Sequence, residues 1–313
     1  MNKQQKTKKS SKNKFIISGI VIAVIAIGIG LALNNQSSVP SQSAVEPRTI
    51  SWQHVHGLGV NPSDPSILYI GTHGDFFQSI SGGPPVKVDK VRADYMGFTV
   101  PSVKGTPLYS SGHPSTGGNA GLIKSTDGGQ TWELVSKVLE PPVDFHAKAV
   151  SKSDPNIIIG FDSGGRGLFK TTDAGISWET LQYPDYVSAL AISPTDPNMV
   201  FAGTGKGIFV SNDGAKSWTQ LEPYNEILIF ALTFDDNGVL YATAANFGLL
   251  RSLDLGKTWE GLKSPDLTIT NLAVDSQNKI IYVAGHSQEG FQEVYSSSND
   301  GTNWQLIGTN KEL

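Results

Sequence analysis

The chain has no cysteine, which rules out disulfides, thiolate metal centres and a lipid anchor carried on an N-terminal cysteine. Charge is also scarce: Asp, Glu, Lys and Arg make up 17 % of the 313 residues, and arginine occurs only at Arg48, Arg92, Arg166 and Arg251. So few long charged side chains argue against a fold of surface helices, whose outer faces require them. The charge that exists is unevenly spread. Six lysines fall within residues 1–14, leaving 18 basic residues against 28 acidic ones, so the rest of the chain carries about −10 where the whole carries −4. No nucleic-acid partner is expected, because neutralising phosphates takes a basic face. Glycine and proline are plentiful, 34 and 17, within a composition that is 38 % hydrophobic. That mixture suits many short strands joined by tight turns and predicts an all-β protein.

There is one long hydrophobic run. Lys3, Lys6, Lys8, Lys9, Lys12 and Lys14, with no acid among them, lead into the uncharged stretch Phe15 to Leu33. Its length matches a helix that crosses the hydrocarbon core and exceeds a typical signal-peptide core. The lysines keep the N-terminus cytoplasmic, so a retained single-pass signal anchor is expected, with everything after Leu33 outside the cell membrane. The alternative is secretion after cleavage near Gly30-Leu31-Ala32. The expected organisation is a cytoplasmic basic segment (1–14), a transmembrane anchor (15–33), a flexible linker rich in Ser, Gln, Asn and Pro (34–49), and a folded unit (50–313).

A repeat governs the folded unit. Ser125-Thr126-Asp127-Gly128-Gly129-Gln130-Thr131-Trp132 recurs as Thr171 to Trp178 around Asp173, Ser211 to Trp218 around Asp213, and Ser252 to Trp259 around Asp254. A fifth copy, read as Ser298 to Trp304 around Asp300, is shorter by one residue. The aspartates stand 46, 40, 41 and 46 residues apart, the length of a four-stranded propeller blade. Upstream of each copy lie two further strands, often joined by a turn such as Asn61-Pro62-Ser63-Asp64-Pro65. A sixth such pair, without the repeat, opens the unit near residue 54. A single six-bladed β-propeller follows, its first blade degenerate.

These octapeptides resemble the Asp-box, or BNR repeat, of sialidases and sortilin-type receptors, and the resemblance covers residues 54–307. It implies that the aspartates build hairpins rather than catalyse. Asp accepts backbone N–H groups in the turn, glycine permits positive φ, and tryptophan starts the next strand with a large apolar surface. A complete sialidase is not implied. Sialidases grip a carboxylate with three arginines, one in a Phe-Arg-Ile-Pro segment, and this chain lacks that segment.

The repeats also predict where chemistry sits. In a four-stranded blade the start of the first strand and the end of the second share one face, opposite the Asp-box turns. Aligning the units gives one column of His73, His113, Asp162, Gly205, Ala245 and His286. A second column runs through His56, Met96, His146, Ser188, Phe230 and Thr270, with His54, Asp94 and Asp144 two residues earlier on the same side. All six histidines therefore gather at one end, on blades 6, 1, 2 and 3. Converging imidazoles with Asp94, Asp144 and Asp162 suit a divalent transition ion such as zinc, copper or nickel, or acid–base and hydrogen-bonding contacts to a polar ligand. Arg166 and Glu289 follow in the loops after the second strands.

Three functions stay open at this level. One is a membrane-anchored propeller binding a metal, a small polar ligand or an envelope protein. Another is a glycoside hydrolase-like enzyme acting on glycans, with Asp162 and Glu289 as carboxylate candidates. The third is a scaffold for a membrane complex.

Overall fold

The computed structural model describes residues 50–311. The expected basic segment, membrane span and linker lie outside the described residues. Among the described residues there is no helix; 24 strands form six four-stranded antiparallel sheets, each built from strands consecutive in the chain. The sheets cover 55–87, 96–136, 145–181, 187–220, 229–261 and 267–309. First strands of successive sheets touch one another around a full circle, and the first strand of blade 1 also meets that of blade 6. The fold is a closed six-bladed propeller.

Close radial packing explains the small residues near the axis. The second strand of blade 4 carries Gly203, where a Cβ would press to 2.7 Å from the Ile229 side chain of blade 5. Gly71 gives way in the same manner to Phe98 of the next blade. Large apolar residues then fill the seams: Phe76, Phe145, Phe161 and Phe201 are all fully buried.

The repeated turn between third and fourth strands is a dense local network. In blade 2, Ser125 Oγ donates to Asp127 Oδ1 at 2.9 Å and accepts the Gly129 N–H at 2.9 Å. Asp127 takes the Thr131 N–H at 2.9 Å and its hydroxyl at 2.6 Å, and Trp132 Nε1 donates to the Gly129 carbonyl at 3.1 Å. Two successive positive φ values complete it, 74° at Gly128 and 90° at Gly129. The opening Ser or Thr and the residue before the tryptophan thus carry as much of the turn as the aspartate does.

Blade 6 corrects the expected alignment. Here Ser297 Oγ donates to Asn299 Oδ1 at 3.0 Å, and Asn299 takes the Asn303 N–H at 2.9 Å. The copy is not shortened; it runs from Ser297 to Trp304 with Asn299 in the aspartate's place. Asp300 occupies the first positive-φ position, 59°, and its carboxylate receives Arg251 Nη1 at 2.7 Å.

The turn tryptophans fill the seams between blades. Trp132 packs on Phe76 and Tyr95, with ring centroids 5.3 and 5.1 Å apart, and Trp178 Nε1 also donates to Ser136 Oγ of the preceding blade at 3.0 Å. Blade 1 has no such tryptophan. Its seam with blade 6 holds Trp52, which arrives from ahead of the first strand, is 2 % exposed, and meets Phe77 edge-on at 5.6 Å. Around it Ile50 N donates to Thr309 O at 2.9 Å, Trp52 Nε1 to Gln292 O at 3.3 Å, and Val55 N to Gln292 Oε1 at 2.9 Å. The ring closes without exchanging a strand between the chain ends.

The turn carboxylates tie stability to pH. Although its slight burial acts the other way, the hydrogen bonds from Thr131 and Ser125 bring Asp127 down to about 2, and those from Ser177 and Thr171 do the same for Asp173. Carboxylates depressed on folding stabilise above their unfolded value of about 4 and lose that contribution as pH falls towards the folded one. The melting temperature therefore drops on acidification from about pH 4 to pH 2, and a D127N/D173N variant shows a shallower drop. At neutral pH, D127A lowers the melting temperature by a few degrees and D127N by less, since Asn299 already serves as the acceptor in blade 6. Equal losses for D127A and D127N in scanning calorimetry would contradict this.

Candidate functional site

A β-bulge near the start of the first strand builds the mouth of the channel. Register shifts between Val55 and Gly57, Val187 and Ala189, Ile229 and Ala231, and Ile269 and Asn271, and correspondingly beside Phe145. The extra residue at each is His56, Ser188, Phe230, Thr270 and His146, and these side chains line the channel. Blade 2 departs from the expected column. Its bulge falls later, between Met96 and Thr99, so Gly97 lines the channel while Met96 is buried.

A second tier comes from residues at or just beyond the ends of the second strands. His73 N donates to His54 O at 2.8 Å, His113 N to Asp94 O at 3.4 Å, Ser163 N to Asp144 O at 2.8 Å, and Ala245 N to Leu228 O at 2.8 Å. His286 pairs with Thr268 in the same tier. Asp162 does not belong to it; Asp162 pairs with Phe145, one step earlier, and alternation turns its side chain away from the mouth. There Arg166 grips it, with Nε 2.9 Å from Oδ2 and Nη2 2.7 Å from Oδ1, while Arg166 also donates to the carbonyls of Pro141 and Pro142. Burial alone would raise Asp162, but the Arg166 guanidinium and the Asp144 N–H hold it below the usual carboxylate range. Through that N–H, 2.9 Å from Oδ1, Asp162 positions Asp144. Glu289, in the loop after His286, is exposed and 2.6 Å from Lys311 Nζ.

Three of the expected residues converge closely. His113, Asp144 and His146 bring one ligand atom each within 4.8 Å of one another. Asp144 Oδ2 is 2.8 Å from His146 Nε2 and 3.5 Å from His113 Nε2, and it accepts the Ser163 hydroxyl at 2.9 Å. Asp144 Oδ1 is buried without a partner. Burial would raise this carboxyl, but the hydrogen bond and charge of His146 outweigh it and keep the group ionised. His113 Nδ1 lies 3.1 Å from the Gly118 carbonyl, which can only accept, so Nδ1 carries a proton and Nε2 is the nitrogen presented to Asp144 Oδ2, 3.5 Å away. This is how metal-binding imidazoles are commonly oriented by their surroundings.

The other histidines form a neighbouring row. Ring centroids lie 5.3 Å apart for His286 and His54, 6.2 Å for His54 and His56, and 6.1 Å for His56 and His73, while His73 Nδ1 reaches Asp94 Oδ2 at 3.1 Å. His56 Nε2 is buried without a partner; burial, reinforced by His146, pushes this imidazole down to about 3, so it is neutral at physiological pH. His286 differs. Gln292 spends its Oε1 on the Val55 N–H and directs Nε2 at His286 Nδ1, 2.6 Å away, so the neutral imidazole keeps its proton on Nε2 and acts as a donor. Below the mouth Leu58, Phe98, Leu190, Leu232 and Leu272 line the channel, and Lys148 takes the equivalent place in blade 3. Its buried amine has no hydrogen-bond partner, lies 6.0 Å from the Tyr109 ring, and is driven well below the usual lysine range by burial.

Ser163, Gln292 and the Gly118 carbonyl escape sequence reasoning, because a backbone acceptor and a single buried Gln leave no periodic signal. The chemistry on view is that of imidazoles beside an ionised carboxylate, a donor set for a borderline divalent ion.

Arg166 serves this site by neutralising Asp162. R166A leaves a carboxylate that is 1 % exposed without its cation and is expected to destabilise the protein by about 3 kcal/mol in urea unfolding. R166K, which keeps the charge, loses less. A neutral outcome for R166A would remove Asp162 and Arg166 from the support of Asp144.

No protein-family model and no curated protein sequence matches the chain. Solved structures do resemble it. A GH74 enzyme of Niastella koreensis aligns with 83 % of this chain at 17 % identity and a TM-score of 0.60. The match takes in 46 % of that enzyme, so the chain spans under half its length, and for an ancestral GH74 enzyme the share is 39 %. A gluconolactonase of Xanthomonas campestris aligns over 74 % of this chain and 84 % of its own at 16 % identity, also with a TM-score of 0.60. A putative gluconolactonase gives 0.59 at 14 % identity, over 82 % of this chain and 91 % of its own. At such identities the likeness is one of fold, and the fold shared is the β-propeller.

Proposed function

We propose that this protein is a membrane-anchored, extracytoplasmic propeller of the Asp-box type that binds a divalent transition ion, zinc, copper or nickel, on His113, Asp144 and His146, as the centre of a ligand-binding mouth. The observation that carries the reading is the convergence of His113, Asp144 and His146, whose ligand atoms lie within 4.8 Å of one another, with the His113 ring oriented by the Gly118 carbonyl so that Nε2 faces Asp144. The unpartnered Asp144 Oδ1 and the neutral, unpartnered His56 support it further, since both are buried polar atoms that an ion or its ligand would satisfy. With the ion bound, the site would supply Lewis acidity and a point of attachment for a polar ligand. Asp144 and its partner Ser163 would hold the ligand set in register, and His286 would offer an N–H to the ligand from the other side of the mouth.

The Asp-box assignment rests on the Ser/Thr–Asp–Trp hydrogen-bonded turns, and the anchor on the lysine-led run Phe15 to Leu33. The glycoside hydrolase alternative draws on the GH74 likeness in fold. It is weakened by its own carboxylates, since Asp162 is clamped by Arg166 and Glu289 is paired with Lys311.

Two experiments test the proposal. Titrating zinc, copper or nickel into the purified full chain is expected to raise its stability by about 2.7 kcal/mol at a hundredfold excess over the dissociation constant. H113A and H146A abolish the effect, and H286A, whose free nitrogen is a donor, retains it. Absence of binding, or binding indifferent to H113A and H146A, overturns the metal reading. For the anchor, alkaline extraction of membranes is expected to leave the chain in the pellet, whereas a shortened, soluble form would mean cleavage and secretion.

A further inference from the structure

The histidines occupy half of the mouth, and the other half has its own chemistry. In the tier that carries His54 and Asp144 in blades 1 and 3, blades 4 and 5 carry Tyr186 and Leu228, which are 51 % and 40 % exposed. Tyr183, 40 % exposed, lies in the segment leading into blade 4, and Phe247, 50 % exposed, lies in the loop after the second strand of blade 5. All four therefore stand on the histidine face, opposite the turns. Large apolar side chains left open in this way mark a binding surface when they cluster beside a functional cavity.

Their orientation is fixed. Phe161, fully buried, holds Tyr183 and Tyr186 edge-on at centroid distances of 5.0 and 5.2 Å and angles of 70° and 81°. Tyr186 Oη donates to the Ser163 carbonyl at 3.1 Å and Tyr183 Oη to that of Gly165 at 3.4 Å. Tyr224 holds Phe247 in the same edge-on manner at 5.1 Å and 80°. With the tyrosine hydroxyls engaged by the protein, what remains for a ligand is the exposed parts of the rings, at two places on adjoining blades. Between them lie charges of both signs, Asp185 and Lys206, 3.0 Å apart. A surface so divided does not select an ion, and its apolar parts are too interrupted for the contiguous dry centre of a protein interface.

We infer that the rim of blades 4 and 5 is a stacking platform for a neutral oligosaccharide, with Tyr183 and Tyr186 holding one pyranose ring and Phe247 another. A pyranose ring is apolar on its C–H face and polar around its perimeter, which matches rigid aromatic faces set among hydrogen-bonding groups. Preset ring orientations lower the ordering cost of such contacts. The proposal names the ligand class of the mouth described above and rests on reading this face as a ligand-binding mouth, but not on the ion. Because Tyr186 bonds to the residue that bonds to Asp144, a sugar on this platform adjoins the His113, Asp144 and His146 group.

The test is calorimetric titration of the full chain with neutral hexasaccharides of glucose, xylose and N-acetylglucosamine, with and without added zinc. At least one is expected to bind, about tenfold more weakly after Y186A or F247A and with little change after Y186F, which keeps the ring. Zinc binding by Y186A and F247A is expected to equal that of the parent. No binding of any hexasaccharide, or affinity indifferent to Y186A and F247A, overturns the platform even where zinc still binds. Loss of zinc binding alone strikes the metal reading and leaves the platform standing. Concentration-dependent dimerisation abolished by F247A would overturn the sugar in favour of a second copy of the chain.

Discussion

Closure of the ring is the constraint on which the rest of this molecule depends. Six sheets, each made of consecutive strands, leave one seam that no chain connection crosses, and a propeller with an open seam has two unsatisfied faces. The seam is sealed by Trp52 between blades 1 and 6 and by Gln292, which is 2 % exposed and takes the Val55 N–H. The same Gln292 fixes the tautomer of His286, so one side chain links the closing contact to the chemistry of the mouth. Without closure, His286 of blade 6 would not stand 5.3 Å from His54 at the other end of the chain.

Within the closed ring, a recurring bulge converts a structural strand into a lining for the channel. An extra residue in the first strand bends it and aims one side chain per blade inwards. Function is therefore distributed by a geometry the six blades share, and differentiated by what each blade places at the shared position. Blades 1 and 3 place histidine there, blade 2 places glycine, and blades 4 to 6 place serine, phenylalanine and threonine. The mouth becomes two-sided, with imidazoles and carboxylates facing aromatic and small residues across the channel. Supporting residues sharpen the polar side. Arg166 neutralises Asp162, Asp162 holds the Asp144 backbone, and Ser163 and His146 hold its carboxylate.

Much of this was legible in the sequence because the repeated turn is local. Its hydrogen bonds join residues no more than four apart, so the spacing of Ser, Asp and Trp reports the hairpin directly, and the 40-residue period reports the blade. The strand-end histidines were legible for the same reason. Sequence and structure part wherever a single residue of register decides the outcome. Asn299 replaces the expected Asp300 because the turn selects an acceptor, and an amide oxygen serves. Asp162 gives way to Ser163, and Met96 to Gly97, because strand side chains alternate and a bulge moves the alternation by one.

The sequence by itself determined the blade, the number of blades and the end of the propeller at which titratable residues collect, since these follow from local hydrogen bonding and strand periodicity. Only the tertiary structure decided which side chains meet. Seam closure by Trp52, the His113 ring oriented by Gly118, the Asp162 clamp and the aromatic rim all join residues through space, or depend on a one-residue shift in register. Contacts of that kind are set by packing around the ring and leave no period in the chain.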